Sequence, residues 1–177
     1  MKNLNLENVQ EAAEYKKVTP GGYVCGITSV KDVTDKEYLK IEYEIAEGEF
    51  KGYYRELEAS KGFWGASFIK SYKESALPFF KAFITSVEKS NNGFKFANDE
   101  TKLRGKYVGL VLGEEEYRGN DGSIKTRLYV DQVHSVDKIK SGDFKVPALK
   151  KLVEGAFGYG PTAYVNEEAE DSDSLPF

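Results

Sequence analysis

The chain has 177 residues, of which 40% are hydrophobic and 31% charged, a composition typical of one globular domain with terminal extensions. No apolar run reaches the roughly 18 residues of a membrane span, and one cysteine and one histidine exclude an internal disulfide and most familiar catalytic or zinc sites. The net charge of -4 is uneven: 5 of the 29 acidic residues lie in the last 11, and the first 166 residues carry 25 basic and 24 acidic groups, a balance of +1.

The first 19 residues, which begin MKNLNLENVQ, contain no apolar stretch of the kind that a secretory signal requires. We expect residues 1–19 to form an N-terminal extension that can be helical. We also expect the protein to be cytoplasmic.

Three strands are predicted in the first third of the chain. Residues 21–30, GGYVCGITSV, are rich in β-branched and aromatic residues, and residues 38–45, YLKIEYEI, alternate apolar and polar side chains with the period of a half-buried strand. Residues 53–58, YYRELE, are predicted to form a third, short strand after a turn with two glycines.

One helix follows. The segment SALPFFKAFITSVEKSNNG places five apolar residues at helical spacing, with Ser75 as the expected N-cap, Pro78 tolerated in the first turn, and Asn91 to Gly93 as the stop. The five residues are Phe79, Phe80, Phe83, Ile84 and Val87.

Two further strands, over residues 106–117 and 123–133, are predicted to form a hairpin through RGND. After Pro147 the pattern allows one or two helical turns, so residues 141–166 are assigned to a short helix and linker. Residues 167–177 have the composition of a disordered acidic tail.

This order of three strands, one helix and two strands predicts a mainly β protein, a β-barrel with one helix of the OB-fold type, over residues 20–140. OB-folds are small, partly open barrels that bind oligonucleotides across strands 2 and 3 and their loops.

The chemistry of this region fits single-strand binding, which needs cations for phosphates and aromatic faces for bases. Basic and aromatic residues are interleaved in KGYYREL, ASKGFWG, the start of the fourth strand, and the hairpin. The candidate nucleic-acid-binding residues are Lys51, Tyr53, Tyr54, Arg55, Lys61, Phe63, Trp64, Lys106, Tyr107, Arg118, Lys125, Arg127 and Tyr129. The competing interpretation is that many of these tyrosines are core residues and that the strand lysines and arginines are ordinary surface residues.

Two enzymatic interpretations are weaker. Glu114, Glu115 and Glu116 with Asp131 could bind Mg²⁺ in a nuclease, but consecutive strand residues point to opposite faces. Cys25 and His134 could form a nucleophile and base, but both lie in apolar strand patterns, where Cys25 is expected to be core filler. We predict no catalytic residue, no metal site and no cofactor.

The chain ends in DSDSLPF. Together with the strand order, this ending resembles the bacterial single-stranded DNA-binding proteins, whose acidic C-terminal segment closes with Ile or Leu, Pro and Phe. The matching residues are Asp171, Asp173, Leu175, Pro176 and Phe177, with serines where that family often has further aspartates. The body, in particular FKAFITSVEKSNNGFKF and LRGKYVGLVLGEEEYRGNDGSIKTRLYV, is more similar to the phage-encoded single-stranded DNA-binding proteins of Gram-positive hosts.

The resemblance implies a non-enzymatic protein that protects single-stranded DNA in replication, recombination or repair, in the host cytoplasm if phage-encoded. Its C-terminus would recruit partner proteins, because Phe177 combines an aromatic ring with the terminal carboxylate and the upstream acids attract basic partners. Alternatives are an RNA-binding OB protein, a metal-dependent nuclease and a protein adaptor. A homo-oligomer formed through strand edges is also open.

Overall fold

The structure is a computed structural model that describes residue 7, residues 16–62 and residues 65–153. The described part is mainly β, with five antiparallel strands and a few helices. The strands are β1 (Gly21–Val33), β2 (Tyr38–Ile45), β3 (Ser67–Ser71), β4 (Tyr107–Arg118) and β5 (Ile124–His134), and the helices are α1 (Tyr53–Lys61), α2 (Leu77–Ser90) and α3 (Val136–Lys140). Short 3-10 turns lie at Thr34–Lys36, Glu74–Ala76 and Glu100–Leu103.

The sheet has the order β3-β2-β1-β4-β5, and β1 is its centre. The first half of β1 pairs with β4 and the second half with β2, with an irregularity in register at Thr28. A bulge of this kind bends a strand and increases its twist. One long strand can therefore serve two differently oriented halves of the sheet.

The core lies against one face of this sheet. The alternation predicted for β2 is confirmed, since Leu39, Ile41, Tyr43 and Ile45 are all buried. Helix α2 packs on the same face through Phe83, whose ring centroid is 6.1 Å from that of Phe68 on β3. Helix α2 contacts β3, β4 and β5, so it covers one end of the core.

Part of the opposite face is also covered. Helix α3 and the segment after it pack on β1 and β4 through Ile139 and Phe144. Glycines at positions 22 and 109 make this approach possible, because a Cβ at Gly22 would collide with Phe144 and one at Gly109 with Ile139. We call this side of the sheet the outer face.

The prediction of a third strand at residues 53–58 was wrong. These residues form α1, which begins after Gly52 in a left-handed conformation and whose first turn is held by the side chain of Glu44. The third strand is instead β3, whose sequence SFIKS is short and largely polar and does not resemble a strand. The described chain therefore has an additional helix between the second and third strands of the predicted order.

Other boundaries are close to the predictions, with three corrections. Helix α2 begins at Leu77 with Pro78 in its first turn, but Ser75 lies in the preceding 3-10 turn and its side chain does not cap the helix. Residues 147–153 form no helical turn, although one was predicted there, and their regular structure is limited to an isolated bridge at Lys150. The last helix of the described part is α3, before that segment.

None of the helices in the described ranges is long and apolar enough to cross a membrane.

Candidate nucleic-acid interface

The second half of β1, with β2 and β3, presents an exposed part of the outer face. In register, Lys31 of β1 lies opposite Lys40 of β2, which lies opposite Ile69 of β3. The neighbouring row consists of Val33, Tyr38 and Ser71. We call this surface, defined by Lys31, Tyr38, Lys40 and Ile69, the strand face.

The bulge at Thr28 decides which way Lys31 points. Ile27 points into the core, and strict alternation from it would place Lys31 in the core as well. The extra residue reverses the alternation, so Val30 packs against the core and Lys31 lies on the outer face, opposite Lys40. The Thr28 hydroxyl is itself buried without a hydrogen-bond partner among the described residues.

The two lysines of the strand face make an electropositive pair. Like charges directly opposite each other on neighbouring strands are destabilising. Lys31 is exposed, and the Lys40 ammonium lies 4.0 Å from Glu42 on its own strand. An anion bound between the two ammonium groups would relieve the repulsion.

Tyr107 extends the outer face toward β4. It pairs with Gly26 of β1, its ring lies beside this glycine, and half of its surface is exposed. The Asn91 side chain accepts a hydrogen bond from the Tyr107 backbone nitrogen (2.9 Å) and donates one to its carbonyl oxygen (2.8 Å), which fixes the backbone. Of the predicted aromatic residues that the structure describes, Tyr107 is therefore the one held rigidly with its ring open. Its neighbour Lys106 lies over the Phe94 ring, 4.9 Å from the centroid.

The predicted hairpin residues lie together, and each of them already contacts a partner within the protein. Arg127 donates to Glu115 (2.7 Å) and lies 5.3 Å from the Tyr117 ring centroid. Lys125 is 3.5 Å from Asp121. The other two hairpin residues are also engaged: Arg118 donates to the Gly122 carbonyl oxygen at 3.1 Å, and Tyr129 lies beneath the Lys150 ammonium, 3.9 Å from its ring centroid.

The residues predicted for the third strand lie in a turn and on α1. Lys51 is exposed before the helix, while Arg55 and Lys61 are exposed on it. Tyr53 is half-buried and contacts the rings of Phe50 and Tyr54. These side chains do not form the continuous strand surface that the sequence predicted.

Tyr54 is a core residue. It is 6% exposed, and its ring contacts Tyr43 edge to face at 5.6 Å. Burial raises the pKa of Tyr54 to about 12. No face of this ring is open to a base, so the prediction that Tyr54 binds nucleic acid is wrong.

Glu44 has a structural role that sequence analysis missed. Its buried carboxylate accepts hydrogen bonds from the backbone nitrogens of Ile45 (2.8 Å), Tyr54 (3.1 Å) and Arg55 (2.7 Å). The last two are unpaired donors of the first turn of α1, where a negative charge is also favoured by the helix dipole. Glu44 thereby joins α1 to β2.

Phe63, Trp64 and the tail residues Asp171, Asp173, Leu175, Pro176 and Phe177 lie outside the described residues. The extension over residues 1–15, apart from residue 7, and the segment from residue 154 onward lie outside them as well.

The geometry separates the groups of the enzymatic alternatives. Cys25 is buried on the core face, where burial raises the pKa of its thiol, while His134 lies opposite Gly109 on the outer face. The two residues therefore cannot form a nucleophile and base pair. Among the described residues no group of three or more His, Cys, Asp or Glu side chains is arranged to hold a metal ion, and Asp131 accepts hydrogen bonds from Tyr129 and Gln132.

Sequence analysis did not select the four residues of the strand face. The alternation in YLKIEYEI already placed Tyr38 and Lys40 on the face of β2 that points away from the core. What the sequence lacked was the register that brings Lys31 and Ile69 beside them.

No protein-family model matches the sequence, and no curated protein matches it. The resemblance to phage single-stranded DNA-binding proteins therefore stays a prediction.

Proposed function

We propose that this protein binds single-stranded DNA without sequence preference, through the strand face and Tyr107. The observation that carries the proposal is the placement of Lys31 directly opposite Lys40 on an exposed sheet surface. Two lysines placed side by side on a sheet favour the binding of a polyanion.

The sheet supports an OB-type barrel as the fold. In the sheet order β3-β2-β1-β4-β5, strand β1 pairs with both β2 and β4. Helix α2, which lies between β3 and β4 in the sequence, contacts β3 and β5, the two edge strands of the sheet. The strand face lies on strands 2 and 3 with part of strand 1, which is the region that OB-folds use for oligonucleotides.

The proposed mode of binding combines stacking and charge. Tyr107 and Tyr38 lie toward opposite ends of the surface and offer rings on which bases can stack, and Lys31 and Lys40 lie between them along β1 and β2. Stacking is tolerant of sequence because every base has a π-face. Ile69 adds an apolar contact for a base or sugar.

The wider role follows from the resemblance. We infer a phage-type protein that coats single-stranded DNA during replication or recombination and recruits partner proteins through Asp171, Asp173 and the final Leu-Pro-Phe. The terminal carboxylate and ring of Phe177 suit an apolar pocket rimmed by Arg or Lys.

The test is a titration with labelled oligo(dT), duplex DNA and oligo(U), followed by anisotropy, on the full chain and on Lys31→Ala/Lys40→Ala. Oligo(dT) should bind best, and the double variant should bind more weakly with a log-log salt slope shallower by about 1.4, since each phosphate contact to a single strand contributes about 0.7. Lys102→Ala is the matched control, because Lys102 is exposed and paired with Asp99.

Three outcomes would contradict the proposal. Absence of binding to all three ligands would leave the tail as the signature of a protein adaptor. Preference for oligo(U) would indicate an RNA-binding protein. An unchanged slope in the double variant would place the phosphates elsewhere.

A further inference from the structure

The β4–β5 hairpin extends beyond the end of β1. Gly21, the first residue of β1, lies opposite Leu112, so the part of β4 from Gly113 onward has β5 on only one side. The free edge is filled by the segment after α3. We call residues 145–152 the strap.

The strap is held to β4 by a short parallel bridge. The Lys150 backbone nitrogen donates to the Glu114 carbonyl oxygen (3.0 Å), and the Glu116 nitrogen donates to the Lys150 carbonyl oxygen (2.8 Å). The Leu152 nitrogen donates to the Glu116 carboxylate at 3.0 Å. At the other end, the Gln132 side chain donates to the carbonyl oxygen of Lys145 at 3.1 Å.

Side chains of the strap lie over the aromatic part of the hairpin. Pro147 and Tyr129 both lie against Gly113, where a Cβ would come within 2.7 Å of either. The Lys150 ammonium lies 3.9 Å from the centroid of the Tyr129 ring, so it occupies one face of that ring. A base that stacks on this face needs the space that Lys150 fills.

The attachment of the strap is weak compared with that of a sheet strand. Its apolar residues Val146 and Leu149 are exposed, and it has no continuous ladder like the one between β1 and β4. Segments with few buried apolar contacts and exposed hydrogen bonds are those that open locally before the rest of a fold.

We propose that the strap is a displaceable cover of the hairpin: a nucleobase that stacks on Tyr129 replaces the Lys150 ammonium, and the strap leaves β4. The inference rests on the proposed single-strand binding and adds a second contact surface to it. Residues 154–177 follow the strap directly in the sequence.

The first test is residue-resolved hydrogen exchange of the full chain with and without saturating oligo(dT). The amides of Lys150 and Leu152 should exchange about tenfold faster in the complex, as expected when a few weak contacts are lost. The amides of Ala46 and Gly52, which bond to the carbonyl oxygens of Val24 and Ile45, should not change and serve as controls. Unchanged or slower exchange at Lys150 overturns the proposal.

The second test separates a cover from a phosphate contact. Lys150→Ala should bind oligo(dT) about threefold more tightly with an unchanged salt slope, because a competing cation–π contact is removed. Lys151→Ala is the matched control from the neighbouring exposed position. Weaker binding with a slope shallower by about 0.7 would make Lys150 a phosphate contact and overturn the inference, as would an unchanged affinity.

A double-mutant cycle completes the design. In Tyr129→Leu the additional change Lys150→Ala should have no effect, because the ring for which base and ammonium compete is gone. An equal effect of Lys150→Ala in both backgrounds would overturn the proposal. If the wild-type chain binds oligo(dT) while the strap stays protected, only this inference fails; if it binds no oligonucleotide, the proposed function fails first.

Discussion

Lys31 and Lys40 face each other across β1 and β2, and the bulge at Thr28 is what puts Lys31 on that side of the sheet. Opposite charges at directly facing positions stabilise a sheet more than like charges do. The arrangement therefore connects a property of the fold with the proposed binding of a polyanion.

Replacing Lys31 by Glu should change stability and binding in opposite directions. The new ion pair with Lys40 should raise the free energy of unfolding by about 0.5 kcal/mol, while oligo(dT) affinity should fall because a cation is replaced by an anion. Urea unfolding and anisotropy titration measure the two effects. Lys31→Ala should fall between wild type and Lys31→Glu in both assays, and a variant that is more stable but binds normally would exclude Lys31 from the interface.

Glu44→Gln should destabilise the protein by about 1 to 2 kcal/mol, because the amide keeps one acceptor oxygen but loses the charge and the second acceptor at the start of α1. Urea denaturation followed by circular dichroism would measure the change. Glu42→Gln, on the same strand but on the strand face, is the control and should have a smaller effect. Equal stability of wild type and Glu44→Gln would show that the cap contributes little.

Lys70→Met should increase stability. Lys70 lies opposite Leu39 on the core side of the edge strand β3, it makes no ion pair within the described ranges, and burial lowers its pKa. Removing the charge should raise the free energy of unfolding at pH 7 by about 1 kcal/mol.

The pH dependence of this effect has a defined sign. Because the folded-state pKa of Lys70 lies below the ordinary value of about 10.4, the unfolded chain binds more protons between the two values, and wild-type stability rises with pH across that window. The advantage of Lys70→Met should therefore shrink as the pH approaches 10. An advantage that is constant from pH 7 to 10 would contradict this explanation.

Lys70 also protects the edge of the sheet. An inward-pointing charge on an edge strand discourages pairing with another chain, so Lys70→Met should associate more readily than wild type in light-scattering measurements. Lys70→Arg keeps the charge and should not. A monomeric Lys70→Met at high concentration would show that the edge is protected in another way.

Glu88 should contribute to the decrease in the free energy of unfolding at acidic pH. Its pKa is lowered chiefly by the hydrogen bond from the Phe96 backbone nitrogen (3.0 Å) and further by Lys95 (3.1 Å). Its contribution is complete above the unfolded pKa of about 4.3 and is lost as the pH falls through the lowered folded-state value. Glu88→Gln should flatten the loss of stability between about pH 5 and 3, whereas Glu74→Gln, at an exposed position in the 3-10 turn, should behave like wild type.

The salt dependence of binding should be modest. With nearly balanced charges in the first 166 residues, we expect about 3 to 5 phosphate contacts per chain and a log-log slope of roughly -2 to -3.5 for oligo(dT). The slope can be measured by anisotropy from low to moderate salt. A much steeper slope would indicate a larger basic surface, for example one formed by several chains.

Local sequence patterns predicted the elements whose burial follows a simple period. The alternation in Tyr38–Ile45, the helical spacing of Phe83 and Val87, and the β4–β5 hairpin with Gly122 each reflect the backbone geometry of one element packed on one core. The burial of Cys25 was predicted from the apolar strand pattern around it, for the same reason.

The tertiary structure decided the features that depend on distant residues. Residues 53–58 have the aromatic composition of a strand, but the carboxylate of Glu44 supplies acceptors for the first turn of a helix, and a contact ten residues away overrides the local preference. The positions of Tyr54 in the core and of Tyr129 under Lys150 depend on packing between elements. The pairing of Lys31 with Lys40 depends on a bulge and on strand register, and a shift of one residue reverses the face of every side chain, so no local pattern could reveal it.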